Sequence, residues 1–439
     1  VSQAAGLGRH SLLITLIVAG AYFMEFLDAS VIVTAIPQMA NSFSVDPTRM
    51  GLGVTAYMIA TAAAIPASGW VADRWGARNV FFVAVALFTL ASLLCGMAPG
   101  FVSFIAARCL QGVAAALMSP VGRMVVLRIV PKGELMPALS LLVWPALFAP
   151  VIGPPLGGFI TGASSWRWIF FINLPIGLIG MALVLLFLPN EKSERRVPFD
   201  WPGFLLMGLA LACLTYGLDV VGQRGALGLG AGMLAGAVVL GVATWRHIGR
   251  HEHPVLAPDA LKVPSFFISS ISGGLVSRAA ISSTPFLLPL MFQIGFGMSP
   301  VASGLMLLIY MAANLAMKAI TNPILRRWGI RRVLVVNGLL LAVGILLCSF
   351  ITSGMPLLVS GVFLAIAGAT RSMQFTAIVM VTFADVSAAQ RGPASVLFSL
   401  TQQLGNALGV AVGALLLNFS LLLRHDTQLV TADFRVALL

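Results

Sequence analysis

Glu25, Asp28, Arg108, Arg278, Lys318 and Arg371 are charged side chains that lie inside long apolar runs. A charge held in hydrocarbon costs at least about 2.5–3.5 kcal/mol on insertion scales, so each marks a candidate site. Glu25 and Asp28 are three residues apart in the first run and share a helix face. Arg108, in the fourth run, lies at a similar depth to Asp28, about 10–14 Å inside at ~1.5 Å per residue. A carboxylate and a guanidinium at one level can pair. The proton affinity of such an acid depends on whether the Arg stands beside it, which is the chemistry of proton coupling. A static ion pair that only stabilises the helices is the alternative. Glu25 reads as a second protonation site, a substrate contact or an acid at the inner edge of a cavity.

The second half supplies Arg278 and Arg371, each mid-run with no carboxylate at that depth. Lys318 lies about five residues from the end of its run and reads as a snorkelling side chain. Asn314, Gln374, Gln402, Gln403 and Asn406 are polar companions that can line a cavity or bridge helices. Embedded cations outnumber acids, so a discharged interior is positive and suits an anionic or zwitterionic substrate.

These residues require helices that cross a bilayer. Of 439 residues, 59% are hydrophobic and 9% charged, against about 25% charged for a soluble fold. Such a chain cannot cover itself with polar surface and must face lipid. Thirteen apolar runs are long enough to span, the first at 12–36 and the last at 394–423. The segment from Ala432 to Leu439 reads as the opening turns of a fourteenth, truncated. The run from Ser11 is too long for a secretion signal and reads as the first span.

Seventeen of the 26 Lys and Arg fall in segments on the N-terminal side of the bilayer, five on the other side and four within spans. The bias puts the N-terminus in the cytoplasm and accounts for the net charge of +12 without nucleic acid. Cys95, Cys109, Cys213 and Cys348 lie in apolar runs without ligand spacing and read as core thiols. His247, His251 and His253 lie in a charged link; with no Cys or paired carboxylate beside them they read as solvated, and no metal is expected.

The halves echo each other. GWVADRWGARNV at 69–80 is answered by LRRWGIRRV at 325–333, an offset of 253 residues, with Arg326 where the first copy has Asp73. A polar hairpin repeated between apolar runs is the mark of internal duplication. Gly69 is expected to allow close helix approach, and Asp73 to accept from a helix N-terminus or pair with Arg74 and Arg78. Gly153, Pro154 and Pro155, with Gly157 and Gly158, are expected to break and kink a helix interior. Gly405, Gly409 and Gly413 form a small-residue stripe for packing.

Five segments resemble signatures of the major facilitator superfamily, in the order they take there. GWVADRWGAR resembles its loop between helices two and three, FIAARCLQG (104–112) its fourth-helix signature, and VIGPPLGG (151–158) the fifth-helix signature of its antiporters. LDASVIVTAIP (27–37) and WRWIFFINLPIG (166–177) are similar to segments of the drug:proton antiporter branch with fourteen helices. The resemblance implies an all-α polytopic membrane protein with two six-helix bundles, residues 1–189 and 263–439, and two extra helices within 190–262. It implies proton-coupled efflux of small organic molecules, with Asp28 and Arg108 in coupling. Gly69, Asp73, Arg74, Gly76 and Arg78 would form a conformational latch, and Gly153 to Gly158 a hinge. The expected setting is a monomer in lipid, in a bacterial inner membrane, with no cofactor and a proton as the coupling ion.

Other classes stay open. A dedicated exporter of an anionic metabolite or chelate, citrate- or siderophore-like, is one. A membrane enzyme needs a His, Asp or Glu cluster at a membrane face, and a non-transporting sensor needs an output domain; no link here exceeds about twenty residues. No GxxxxGK[ST] loop is present, which argues against direct ATP drive.

Overall fold

A computed structural model describes residues 8–131, 134–189, 198–221, 227–251, 254, 258–387, 391–424 and 428–438. Much of the 190–200 link, and His253, fall outside them. Thirteen long helices run in order: α1 (Arg9–Phe43), α2 (Leu52–Trp75), α3 (Ala77–Met97), α4 (Phe101–Ile129), α5 (Leu135–Ala163), α6 (Asn173–Phe187), α7 (Trp201–Val221), α8 (Leu227–Ile248), α9 (Gly273–Leu290), α10 (Pro300–Trp328), α11 (Ile330–Ser349), α12 (Leu357–Ala384) and α13 (Arg391–Arg424). The eight-residue α14 (Thr431–Leu438) follows. Twelve helices among the described residues are long and apolar enough to cross a membrane, and Leu147–Ala163 within α5 is a shorter apolar stretch. This is the expected all-α architecture.

The packing has a repeat offset of eight helices. In the first half α1 packs on α5, α2 and α3 on α4, and α3 on α6; in the second, α9 packs on α13, α10 and α11 on α12, and α11 on α14. The two seams between halves, α5 with α10 and α2 with α13, are exchanged by the same relation. α7 and α8 pack on each other, and α7 lies against α2 and α13. α8 is the least buried span, with Val238 and Val239 exposed, as a lipid-facing helix must be.

The sequence echo is a backbone echo. The Gly76 N–H donates to the Ala72 carbonyl and its carbonyl accepts from Val80; Gly329 does the same between Leu325 and Val333. Gly76 has φ 89° and Gly329 φ 77°, a region that a Cβ makes costly. The two glycines therefore close one helix and open the next within a single residue.

α5 runs unbroken from Leu135 to Ala163 through Pro145, Pro150, Pro154 and Pro155. The expected break is absent. Small residues on both faces instead make α5 a junction. Cβ atoms at Gly153 and Gly157 would collide with Ser30, Val31 and Thr34 of α1, and one at Gly158 with the Pro300 carbonyl at the start of α10. Gly304 of α10 lies against the Pro154 carbonyl in return. Without a hydrophobic drive in lipid, such close backbone contact is what holds helices together. Gly405 and Gly409 pack in the same way on Arg278 and Ala279 of α9.

Candidate functional site

Asp28 and Arg108 meet inside the first bundle. Arg108 Nη1 donates to Asp28 Oδ2 at 2.6 Å, and neither side chain is more than 1% exposed. α1 supplies the acid and α4 the guanidinium. Gln111, one turn beyond Arg108, donates from Nε2 to Asp28 Oδ1 at 2.9 Å, while its Oε1 accepts from Arg108 Nη1 at 2.5 Å. Asn173, at the start of α6, donates to the same Asp28 oxygen at 2.9 Å. Ser92 of α3 accepts from both amides. Arg108 Nε reaches the Gly53 carbonyl of α2 at 3.0 Å, and its guanidinium lies 4.4 Å over the Tyr57 ring. An ionised carboxylate only accepts, which suits three N–H donors.

Glu25, one turn earlier, also faces α4. Its Oε2 accepts from Ser119 Oγ at 2.7 Å, beside Tyr22, whose hydroxyl donates to the Ser119 carbonyl. No ion pair forms at Glu25 among the described residues. Glu25, Asp28 and Arg108 are all buried, and none of them lines the central cavity.

That cavity, about 500 Å³, lies between the halves. Phe26, Ala29, Ser30 and Val33 of α1 and Val54 and Met58 of α2 form part of one wall, so these two helices stand between the buried pair and the cavity. The opposite wall carries Arg278, Asn314, Lys318, Arg371, Gln402 and Asn406, as the sequence suggested for all but one. The exception is Lys318, which lines the cavity too. No Asp or Glu is among the lining residues.

Gln374 is a correction. Its Oε1 accepts from Asn337 Nδ2 at 2.9 Å, which ties α12 to α11 away from the cavity. Gln403 does not line the cavity either. The turn Ile268–Ser272 before α9 is a π-helix, and the Ser270 carbonyl accepts from Arg278 Nη1 at 3.2 Å. Arg278 is 1% exposed, and its Nε and Nη2 have no hydrogen-bond partner among the described residues.

The description Major Facilitator Superfamily matches residues 18–410. The chain belongs to that superfamily. Among its relatives is a "Putative multidrug resistance protein MdtD" of Pectobacterium carotovorum, 36% identical over 405 residues, which are 91% of this chain and 86% of the relative. The protein of the same name from Serratia proteamaculans is also 36% identical, with 91% and 84% covered. Among solved structures, a D-xylose-proton symporter overlays with TM-score 0.67 at 16% identity, covering 97% of this chain and 94% of the other. A POT family transporter in complex with a peptide conjugate overlays at 0.69 and 12% identity, covering 98% and 93%. Membership of the superfamily makes this chain a secondary membrane transporter.

The superfamily loop is arranged differently from expectation. Asp73 Oδ1 pairs with Arg128 Nη2 of α4 at 2.7 Å, not with Arg74 or Arg78. Arg78 Nη2 instead donates to the Leu185 carbonyl, one of the unpaired carbonyls at the end of α6. Arg74 lies 5.5 Å over the Trp70 ring. A Cβ at Gly69 would meet nothing within 4 Å, so no close approach occurs there. The Asp73 pair joins two helices of one half, and its partly exposed partners are worth about 0–1 kcal/mol.

Sequence reasoning missed Gln111, Asn173, Ser92 and Arg128. One signal was available for the first. Arg108-Cys-Leu-Gln111 recurs as Arg371-Ser-Met-Gln374 in α12, with an amide one turn after an embedded Arg in each half.

Proposed function

We propose that this protein is a proton-coupled exporter of small organic molecules that works by alternating access. The observation that carries the reading is the sealed Asp28–Arg108 pair one helix layer from a central cavity. Protonating Asp28 removes the charge that holds Arg108 and frees α1 and α4 to repack. Arg108 keeps the Gly53 carbonyl and Gln111 as acceptors, but its buried charge is then uncompensated, which favours the repacking. Glu25, with a hydroxyl donor alone, is a second place for a proton on the same face.

Alternating access is supported by where the halves touch. Gln293 Nε2 donates to the Thr34 carbonyl, Thr48 Oγ1 to Asn418 Oδ1, and Gly158 and Gly304 interlock α5 with α10. All of these lie at the end opposite the Gly76 and Gly329 hairpins. With the N-terminus cytoplasmic, as the Lys and Arg bias suggests, this state is closed to the outside. Gly153 to Gly158 would then act as the pivot of rocking. The setting is a bacterial inner membrane, with the protein as a monomer. The export direction and the breadth of substrates rest on the names of the relatives and on the resemblance of 151–158 to antiporters.

A second reading is favoured by the cavity itself. Three cations and no acid line it, so an organic anion with an apolar body fits better than a lipophilic cation. The test is transport in proteoliposomes, with fluorescent cationic dyes set against tricarboxylates and sulfonated dyes. Substrate-driven proton movement in wild type, lost in Asp28→Asn, supports coupling. Undiminished gradient-driven efflux after neutralising Asp28 and Glu25 together would refute it.

A further inference from the structure

At the hairpin end of the linker helices three metal-binding side chains converge. Asp200 immediately precedes α7, and its Oδ1 accepts from the Gly203 N–H at 2.9 Å, capping that helix. His247, in the last turn of α8, places Nε2 2.7 Å from the same oxygen. His251 follows one turn later, where its N–H donates to the His247 carbonyl and the two imidazoles lie 5.0 Å apart. One ligand atom from each of the three residues lies within 4.8 Å of the others. Asp200 is buried, His247 half-buried and His251 exposed, so the set has a fixed base and an open entrance.

We propose that Asp200, His247 and His251 form a binding site for a divalent transition metal of the Zn²⁺ class. Two imidazoles one helical turn apart and one carboxylate are the ligand types such ions take, with water completing a tetrahedron. The carboxylate is the ligand that sequence reasoning lacked. It lies 47 residues before the first imidazole and reaches it only because α7 and α8 pack as a hairpin. The ion takes the place of the hydrogen bond between Asp200 Oδ1 and His247 Nε2, and the neutral imidazole then carries its one proton on Nδ1. Arg246 and Arg250 on the same helix end oppose a dication and keep the affinity moderate. Bound metal ties the start of α7 to the end of α8. Because α7 rests on both α2 and α13, the clamp stiffens the hairpin at one seam between the halves.

The experiment uses full-length protein in detergent without a histidine tag, titrated with Co²⁺ and then with Zn²⁺. We expect one equivalent of Co²⁺ to give visible tetrahedral d–d bands, Zn²⁺ to abolish them, and Zn²⁺ to raise the Tm. Affinity should fall at least tenfold in His251→Ala, an exposed change that leaves the fold intact. It should fall likewise in Asp200→Asn, which keeps an oxygen to cap α7. Bands of equal affinity in both variants, or none in wild type at millimolar Co²⁺, overturn the proposal.

Discussion

Arg108 and Asp28 are 80 residues apart in the chain and 2.6 Å apart in space, in contact at 0% and 1% side-chain exposure. A buried pair of this kind is held or broken as a unit. Removing one partner strands the other at about 3–5 kcal/mol. Asp28→Asn keeps the side-chain shape and leaves Arg108 its Gly53 and Gln111 acceptors, so it should fold, bind substrate and lose proton-coupled transport at least tenfold. Arg108→Met leaves Asp28 the Gln111 and Asn173 donors but no counter-charge, so it should lower the Tm and lose transport as well. Thermal unfolding and pH-dye flux on the two variants separate these outcomes.

The cavity cations give a charge-selective prediction. Arg278→Gln, Lys318→Gln and Arg371→Gln should each weaken binding of an anionic substrate about tenfold or more, on the scale of a lost charge-assisted hydrogen bond, and spare neutral ones. Arg278 is the sharpest case, since its Nε and Nη2 have no hydrogen-bond partner among the described residues. Isothermal titration with matched anionic and neutral ligands reads the difference. Equal losses for both ligands would sink the anion reading.

Gly158→Val should push α10 away from α5, because a Cβ there collides with the Pro300 carbonyl. The expected result is a population shift toward opening at that end. Spin labels placed across the α5–α10 seam should report longer distances, with transport down at least tenfold. An unchanged distance distribution would show that the junction does not hold the closure.

Gly76→Ala and Gly329→Ala each force a side chain into a positive-φ region, at about 1–3 kcal/mol. Both should lower the Tm, whereas Asp73→Asn should shift it little. A larger effect of Asp73→Asn on transport than on Tm would restore a latch role for this acid.

Glu134 yields a pH prediction outside the membrane. Ser11 and the Gly8 N–H hydrogen-bond its carboxylate and hold its pKa below the ordinary 4.5. A depressed carboxyl contributes stability above its unfolded pKa and loses it as pH falls through the folded one. The tie between the start of α1 and the start of α5 should therefore persist at neutral pH and loosen only below the usual carboxylate range. Amide exchange at the first turn of α1, compared with Glu134→Gln, checks this.

Hydropathy and the repeated Trp-Gly hairpin were enough to lay out the helices, because span length and positive φ leave local marks. The depth of Asp28 and Arg108 was also legible, since rise per residue is fixed. Rotation about a helix axis was not. Gln374 and Asn314 are both polar residues in apolar helices, yet one bonds Asn337 and the other faces the cavity, and only packing decides which. In sequence Arg128 is one more basic residue on the N-terminal side of the bilayer, because its contact with Asp73 depends on two helices ending side by side. Lys318 read as an end-of-helix cation because the sequence does not reveal that its helix borders a cavity.

The Arg-x-x-Gln motif now stands in two chemical settings. In α4 its guanidinium is neutralised by an acid and sealed off; in α12 it borders the space where cargo would sit, with no acid beside it. On the function proposed above, duplication has separated the labour of the two halves, one reading the ion and the other reading the load. Substitutions in the second half could then retune what is carried while the engine in the first stays untouched.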